Sequence, residues 1–208
     1  MNSSKKKLYK KDLETLGTFT YIDQCIVRDP LLKTWDIKQD KEYTINIELN
    51  KQLEQRYGTF IQVGYIAPLY IRWINKFVEY GAFADKDIEK GSMICEYTGI
   101  IEREEPFNED NLYLWDYPTI IYEKQEGKKY RKKITFCVNA EMYGNVGRFI
   151  NHSQKRYQNV GIQMIPYNNL WHVVYIAIKN IPKDAQLLTH YGLSYWRDRK
   201  IVPITLKA

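Results

Sequence analysis

Beyond Gly58 the apolar residues of this chain come in short β-branched and aromatic runs, each broken off by Gly, Pro or a charged turn. Residues 60–66 and 69–74 open the series, and residues 93–97, 134–138, 171–178 and 186–189 continue it. Turn signals such as Glu89-Lys90-Gly91 and Pro182-Lys183-Asp184 stand between them. These runs do not alternate with long helical stretches, and no internal repeat occurs. That excludes a doubly wound parallel sheet and predicts a compact, mainly β (α+β) architecture. The 18 Tyr and 5 Trp suit such strands, and they equally suit sticky pockets.

The first 72 residues read as a support segment. Residues 1–12 carry Lys5, Lys6, Lys7, Lys10 and Lys11, a frayed basic arm, and Asp29-Pro30 marks a turn. Over residues 44–57, Ile45, Leu49, Leu53 and Tyr57 recur every four positions with Gly58 just beyond, which predicts an amphipathic helix. Three scattered cysteines, Cys25, Cys95 and Cys137, form no C-x-x-C pair. They predict neither a structural metal nor a disulfide framework, and they fit a reducing compartment. With no apolar run at the N-terminus and none of about 18 residues elsewhere, neither a signal peptide nor a membrane helix is expected. A soluble, cytoplasmic chain follows.

The formal charge of +6 permits an anionic partner without demanding one. Two segments concentrate charge. Residues 102–116 hold Glu102, Glu104, Glu105, Glu109, Asp110 and Asp116 against Arg103 alone, and residues 123–133 are basic around Gly127, like an exposed hairpin tip. Both read first as solvated surface, but an acidic loop beside a site would attract a Lys/Arg-rich substrate. Residues 144–153, Gly-Asn-Val-Gly-Arg-Phe-Ile-Asn-His-Ser, end in three small polar groups able to bind a ligand. Alone, that stretch reads as a capped loop with a structural histidine.

Three stretches change the reading when taken together. Glu79-Tyr80-Gly81-Ala82-Phe83-Ala84 leads into Ile88-Glu89-Lys90-Gly91-Ser92-Met93-Ile94-Cys95-Glu96-Tyr97-Thr98-Gly99; Asn145 to Ser153 follows; and Leu187-Leu188-Thr189-His190-Tyr191-Gly192 closes with Tyr195-Trp196. In order and rough spacing this set resembles the SET-domain protein lysine methyltransferases over residues 73–196. Trp73-Ile74-Asn75 and the Tyr195-Trp196 ending are most similar to compact SET proteins of bacteria living inside host cells, which would add export to a host cell and its nucleus. The resemblance implies several small antiparallel sheets and a C-terminal pseudoknot, with residues 102–135 as a substrate-facing insert and 197–208 as a tail.

It also implies S-adenosylmethionine as cofactor, S-adenosylhomocysteine as product, no metal, and a basic protein substrate of histone type, with nucleic acid met only indirectly. By motif match, Tyr191 takes the position of the catalytic tyrosine and Tyr97 that of a second channel tyrosine. Val78, Glu79, Tyr80 and Gly81 would hold the cofactor's amino-acid end. Tyr113, Asn151 and His152 would contact it further along, and Trp196 would cover the adenine, while Arg148, Phe149 and Ile150 pack. The chemistry needs such residues because only a neutral lysine attacks a sulfonium methyl. A free lysine is about 0.1% neutral near pH 7.4, a cost of roughly 4 kcal/mol, which a dry aromatic channel reduces.

Four positions depart from the family pattern. Glu79 stands where Gly is usual, and is tolerable only with ordinary backbone dihedrals. Thr189, in the channel two residues before Tyr191, replaces an aromatic residue and suggests room for di- or trimethylation. His190 replaces an acid, and Gln154 a cysteine. The competing readings are a catalytically silent SET-like binding module, favoured by Glu79, and a nucleic-acid-binding protein using Lys5–Lys11 and the basic hairpin.

Overall fold

The computed structural model describes residues 6–104, 111–124, 131–199 and 206. Five small sheets make up its strand content. The largest joins Ile26–Val27, Ile100–Arg103, Arg131–Asn139 and Leu114–Lys124 in that order. A second joins Val160–Tyr167, Leu170–Ala177 and Met93–Glu96, all antiparallel. The hairpin of Leu69–Asn75 with Glu79–Ala84 is the third. The remaining two are two-residue parallel pairs, Thr20–Tyr21 with Tyr143–Gly144 and Asn151–His152 with Leu188–Thr189. That last pair sets the C-terminal segment beside the Asn-His motif, which is the crossing that positions the site.

The long helix differs from the expectation. A short helix, Lys41–Ile45, ends at Asn46, and the main helix runs Ile47–Gln62 straight through Gly58. Ile45 and Leu49 are exposed, while Tyr57 and Ile61 pack with Met93, Ile165 and Val174. Only the C-terminal half of the expected stripe therefore faces a sheet. Gly58 is there for space: a Cβ would lie 2.7 Å from the ring of Tyr167. Residues 60–62, expected as a strand, form the last helical turn. Gly64, at φ +61, closes that turn, with Tyr65 N–H bonded to Phe60 C=O (2.9 Å) and Gly64 N–H to Ile61 C=O (3.0 Å). The Phe60 and Tyr65 rings meet across it at 5.0 Å, completing a Schellman stop.

Of the expected basic arm, residues 1–5 lie outside the described residues, and the part around Lys7, Leu8 and Lys10 is docked rather than frayed. Leu8 exchanges backbone hydrogen bonds with Ile71, and Lys7 pairs with Asp85 (2.9 Å) and Asp184 (3.2 Å). Lys10 pairs with Asp23 at 2.6 Å, so two of the five N-terminal lysines are committed to the fold. Asp29-Pro30 starts a helix instead of a turn: Asp29 caps Leu31 N–H at 2.8 Å and Pro30 takes the first position of Pro30–Thr34. Strand Leu69–Asn75 crosses the boundary expected at residue 72, so the support segment and the rest of the chain share a sheet. Asp40 ties them further, its buried carboxylate accepting from Trp35 Nε1 (2.8 Å), Thr119 Oγ1 (2.6 Å) and Trp171 Nε1 (2.8 Å).

Two of the longer strands escaped the reading of runs. Leu114–Lys124 carries Pro118 beside a register shift and ends in charge, which hides its alternation. Val160–Tyr167 reaches Leu170 through Asn168 and Asn169, both at positive φ (47° and 63°), the geometry of a tight two-residue hairpin turn. The tip of the basic hairpin, 125–130, lies outside the described residues, as do Glu105, Glu109 and Asp110.

Candidate active site

The stretch from Gly144 folds as a 3-10 turn, not an open loop. Asn145 caps Val146–Phe149 by accepting from Gly147 N–H (2.9 Å), and its amide donates to Glu96 C=O (2.8 Å). This locks the turn onto strand Met93–Glu96, just before Tyr97. Ile150 is buried, and its carbonyl accepts the Tyr191 hydroxyl at 2.9 Å. Asn151 then reaches across to the first hairpin, its amide donating to Tyr80 C=O at 2.9 Å. Ser153 donates to Leu206 C=O at 2.8 Å, which places that one residue of the expected tail here.

His152 is buried, and its Nδ1 accepts from Tyr191 N–H at 3.2 Å, which leaves Nε2 to carry the proton. Burial, with His190 nearby, pushes its pKa down to about 4. It is therefore neutral near pH 7 and serves as a clamp between Asn151 and Tyr191, not as a base. Trp196 packs edge-on against its ring at 4.7 Å and stacks on Tyr191 at 6.0 Å and 7°.

These elements enclose a cavity of about 610 Å³. Val78, Glu79, Tyr80, Tyr97, Tyr113, Asn151, His152, Tyr191 and Trp196 all line it, nine of the eleven residues expected at the site. The other two stand behind the wall. Gly81 faces Ile74 and Gln186, where a Cβ would come within 2.5 and 2.7 Å, so its role is close packing. Thr189 is fully buried in the parallel pair beside His152 and does not line the cavity. The structure therefore shows no open room beside Thr189 from which to argue di- or trimethylation.

The channel is bounded instead by Trp115 and Tyr175, which the motif reading missed. Trp115 bridges the two expected tyrosines, 6.1 Å from Tyr97 and 6.3 Å from Tyr191, and Tyr175 lies 6.2 Å from Tyr97. Tyr195 adds a ring 4.9 Å from Tyr191. The alternation Trp171-His172-Val173-Val174-Tyr175 marked a strand, but nothing in it said which face would meet Tyr97. Arg148 and Phe149, expected to pack, do so while also lining the cavity. The Arg148 guanidinium lies between the rings of Phe19 (4.2 Å) and Tyr113 (4.0 Å), with Nη1 on the carbonyls of Ala140 and Glu141.

Tyr97 donates its hydroxyl hydrogen to Tyr113 C=O at 2.9 Å, as Tyr191 does to Ile150. Burial drives the pKa of both, and of Tyr175, well above the ordinary phenol value, and neighbouring tyrosines add to the shift. A phenol that stays protonated and has given its only hydrogen to a carbonyl can only accept at its remaining lone pairs. Around Tyr97 and Tyr191 the wall thus offers hydrogen-bond acceptors and ring faces. That environment suits a cationic or amine-bearing chain end.

Glu79 does not meet its condition. Its φ is +60°, the left-handed region that glycine occupies freely and that costs another residue about 1–2 kcal/mol. A charged side chain thus stands on a glycine-like backbone. Acidic groups also reach the cavity from the insert, through Glu104 and Asp116.

Comparison with known proteins decides the family: residues 79–192, more than half the chain, match the SET domain model. The chain belongs to the SET-domain family. A histone-lysine N-methyltransferase EZH2 of Chaetomium thermophilum is 31% identical over 124 residues, which cover 54% of this chain and 7% of that protein. An Arabidopsis thaliana histone-lysine N-methyltransferase, H3 lysine-9 specific SUVH8, is 32% identical over 51% of this chain and 17% of its own length. This chain thus spans less than a fifth of either relative. Both relatives are eukaryotic, and neither supports the expected bacterial subtype. In fold, the SET domain of ATXR5, solved in complex with histone H3, superposes with a TM-score of 0.61 at 16% identity, covering 87% of this chain and 84% of that one. That likeness extends the SET fold beyond the matched segment, into the N-terminal elements.

Proposed function

We propose that this SET-domain chain is an S-adenosylmethionine-dependent protein-lysine N-methyltransferase whose substrate is a basic protein of histone type. The observation that carries the reading is the aromatic channel: Tyr97, Trp115, Tyr175 and Tyr191 ring a space whose two central hydroxyls can only accept. A lysine side chain entering it loses water, which disfavours the ammonium form. The amine that results has N–H groups for the Tyr97 and Tyr191 oxygens, and this turns its lone pair away from them. Ring faces tolerate positive charge on either reactant. Neither tyrosine takes the proton, because burial holds both phenols protonated; the lysine proton leaves to solvent.

The same walls fit the cofactor. Trp196 packs on His152 in one wall of the cavity and offers a ring face to a heteroaromatic group, while its buried Nε1 has no acceptor among the described residues. Asn151, His152 and the turn at Val78–Tyr80 would hold the rest. Bound there, S-adenosylmethionine supplies an electrophilic methyl group; what the protein supplies is alignment and exclusion of water, worth several orders of magnitude in rate. The named relatives are histone-lysine methyltransferases, and the acidic insert residues Glu104 and Asp116 on the cavity wall favour a Lys/Arg-rich substrate. Action in the cytoplasm, or in a host nucleus after export, is part of the same proposal.

The test is transfer of labelled methyl from S-adenosylmethionine to core histones and to a panel of basic bacterial proteins, with Tyr191→Phe as control. Label on a lysine, lost in the variant, supports the reading. No label on any protein, with the cofactor bound, would make the chain a silent binding module.

A further inference from the structure

The first hairpin turns through Asn75-Lys76-Phe77-Val78-Glu79 as it reaches the cavity. Asn75 sets the turn, its Oδ1 accepting from Phe77 N–H (2.9 Å) and Val78 N–H (3.0 Å). The turn ends on Glu79 in a left-handed conformation at φ +60°. Strain of this kind, at a charged residue on a cavity wall, points to use of the side chain. The Glu79 side chain is exposed, and it forms no ion pair among the described residues. Arg148, the cation on the same wall, is already committed to two carbonyls and two rings.

On the cofactor reading given above, the ligand carries two positive centres, a sulfonium and an α-ammonium. The sulfonium has to lie by Tyr97 and Tyr191, and Tyr97 is only 4% exposed. An exposed carboxylate at the mouth matches the other centre, the hydrated amino-acid end. We propose that the Glu79 carboxylate binds the α-ammonium of the cofactor, turning the α-carboxylate away from itself. A glycine here would offer only backbone. Glu79 replaces that with a charge-assisted hydrogen bond, and the left-handed backbone is what aims it into the cavity.

Calorimetric titration of the wild-type chain, Glu79→Gln and Glu79→Gly separates the possibilities. The ligands are S-adenosylmethionine, S-adenosylhomocysteine and 5′-methylthioadenosine, which lacks the amino-acid end. Both variants should weaken the first two ligands about five- to tenfold, as loss of one partly exposed charged hydrogen bond implies, and leave the third unchanged. The melting temperature of Glu79→Gly without ligand should stay level or rise, since the backbone strain is relieved, so weaker binding would not reflect misfolding. The proposal is overturned by a Glu79→Gly variant that binds S-adenosylmethionine as tightly as wild type or more tightly. A loss confined to S-adenosylmethionine would overturn it in favour of the sulfonium, and an equal loss for 5′-methylthioadenosine in favour of pocket shape. A wild-type chain that binds none of the three ligands would sink the cofactor reading itself.

Discussion

Tyr191→Phe removes one oxygen and nothing else from the channel. The ring would keep its stack on Trp196 at 6.0 Å and its edge contacts with Trp115 (6.3 Å) and Tyr195 (4.9 Å). The structural loss is the hydrogen bond to Ile150 C=O at 2.9 Å. Such a bond contributes about 0.5–1.5 kcal/mol net. In a chain of this size that lowers the melting temperature by roughly 2–4 °C per kcal/mol. His152 remains held, because it is the Tyr191 backbone N–H that bonds its Nδ1. Cofactor affinity should therefore change by less than about threefold, well under the tenfold that 1.4 kcal/mol represents.

The rate is another matter. In the proposed mechanism the Tyr191 oxygen accepts from the lysine amine and fixes its lone pair. Losing one preorganised hydrogen bond at a reacting centre costs on the order of 10²–10³ in rate. Single-turnover transfer of labelled methyl, measured at saturating cofactor and peptide, reads this step without product release. A variant rate within tenfold of wild type would refute the argument, as long as the melting temperature shows an intact fold. A loss that appears in cofactor affinity instead would move Tyr191 from alignment to binding.

Four further outcomes follow from the geometry. His152 takes up a proton near pH 6.5 when unfolded and only near 4 when folded. Its contribution is thus whole above about pH 6.5 and is lost as pH falls towards 4, by up to about 3 kcal/mol. Urea titrations from pH 7 to 4.5 should show this loss in the wild type and a shallower one in His152→Asn; parallel slopes would exclude it. Gly58→Ala should destabilise by about 1–2 kcal/mol despite alanine's better helix propensity, because the added methyl meets the Tyr167 ring. A Tyr167→Ala background should abolish that cost. Asp40→Ala strands two buried donors and a half-buried one and should cost at least about 2 kcal/mol in denaturant titration; a loss under 1 kcal/mol would mean that water replaces the carboxylate. Glu104→Lys should raise KM for a basic peptide several-fold at low salt with kcat unchanged, and no change would show the acidic wall to be mere solvated surface.

Much of the site was legible because motif order carries it. Tyr97, Asn151, His152 and Tyr191 are far apart in the chain, and local periodicity says nothing about their meeting. The resemblance did, and the parallel pair Asn151–His152 with Leu188–Thr189 is its physical form. Where the reading failed, the reason was a partner invisible to local pattern. Gly58 looks like a helix stop until Tyr167 is laid across it, and residues 60–62 look β-branched until Gly64 closes the turn behind them. Tyr175 sits in an ordinary strand pattern and Trp115 in a strand whose alternation is hidden, and they reach Tyr97 from two different sheets.

Glu79 and Thr189 carry the argument furthest, since both were read as departures of one kind and the structure separates them. Thr189 changes a side chain at a position buried in the crossing, away from the cavity. A small residue there packs beside His152. Glu79 changes a side chain on the cavity wall while leaving a glycine-like backbone beneath it. A substitution that merely drifted would have been expected to relax φ into an ordinary region, because the turn residues 76–78 are exposed or half-exposed and could yield. The backbone is instead held by Asn75 and by the pairing of Asn75 with Glu79. What distinguishes the two positions is therefore which surface each side chain reaches, and only Glu79 can alter what the cavity binds.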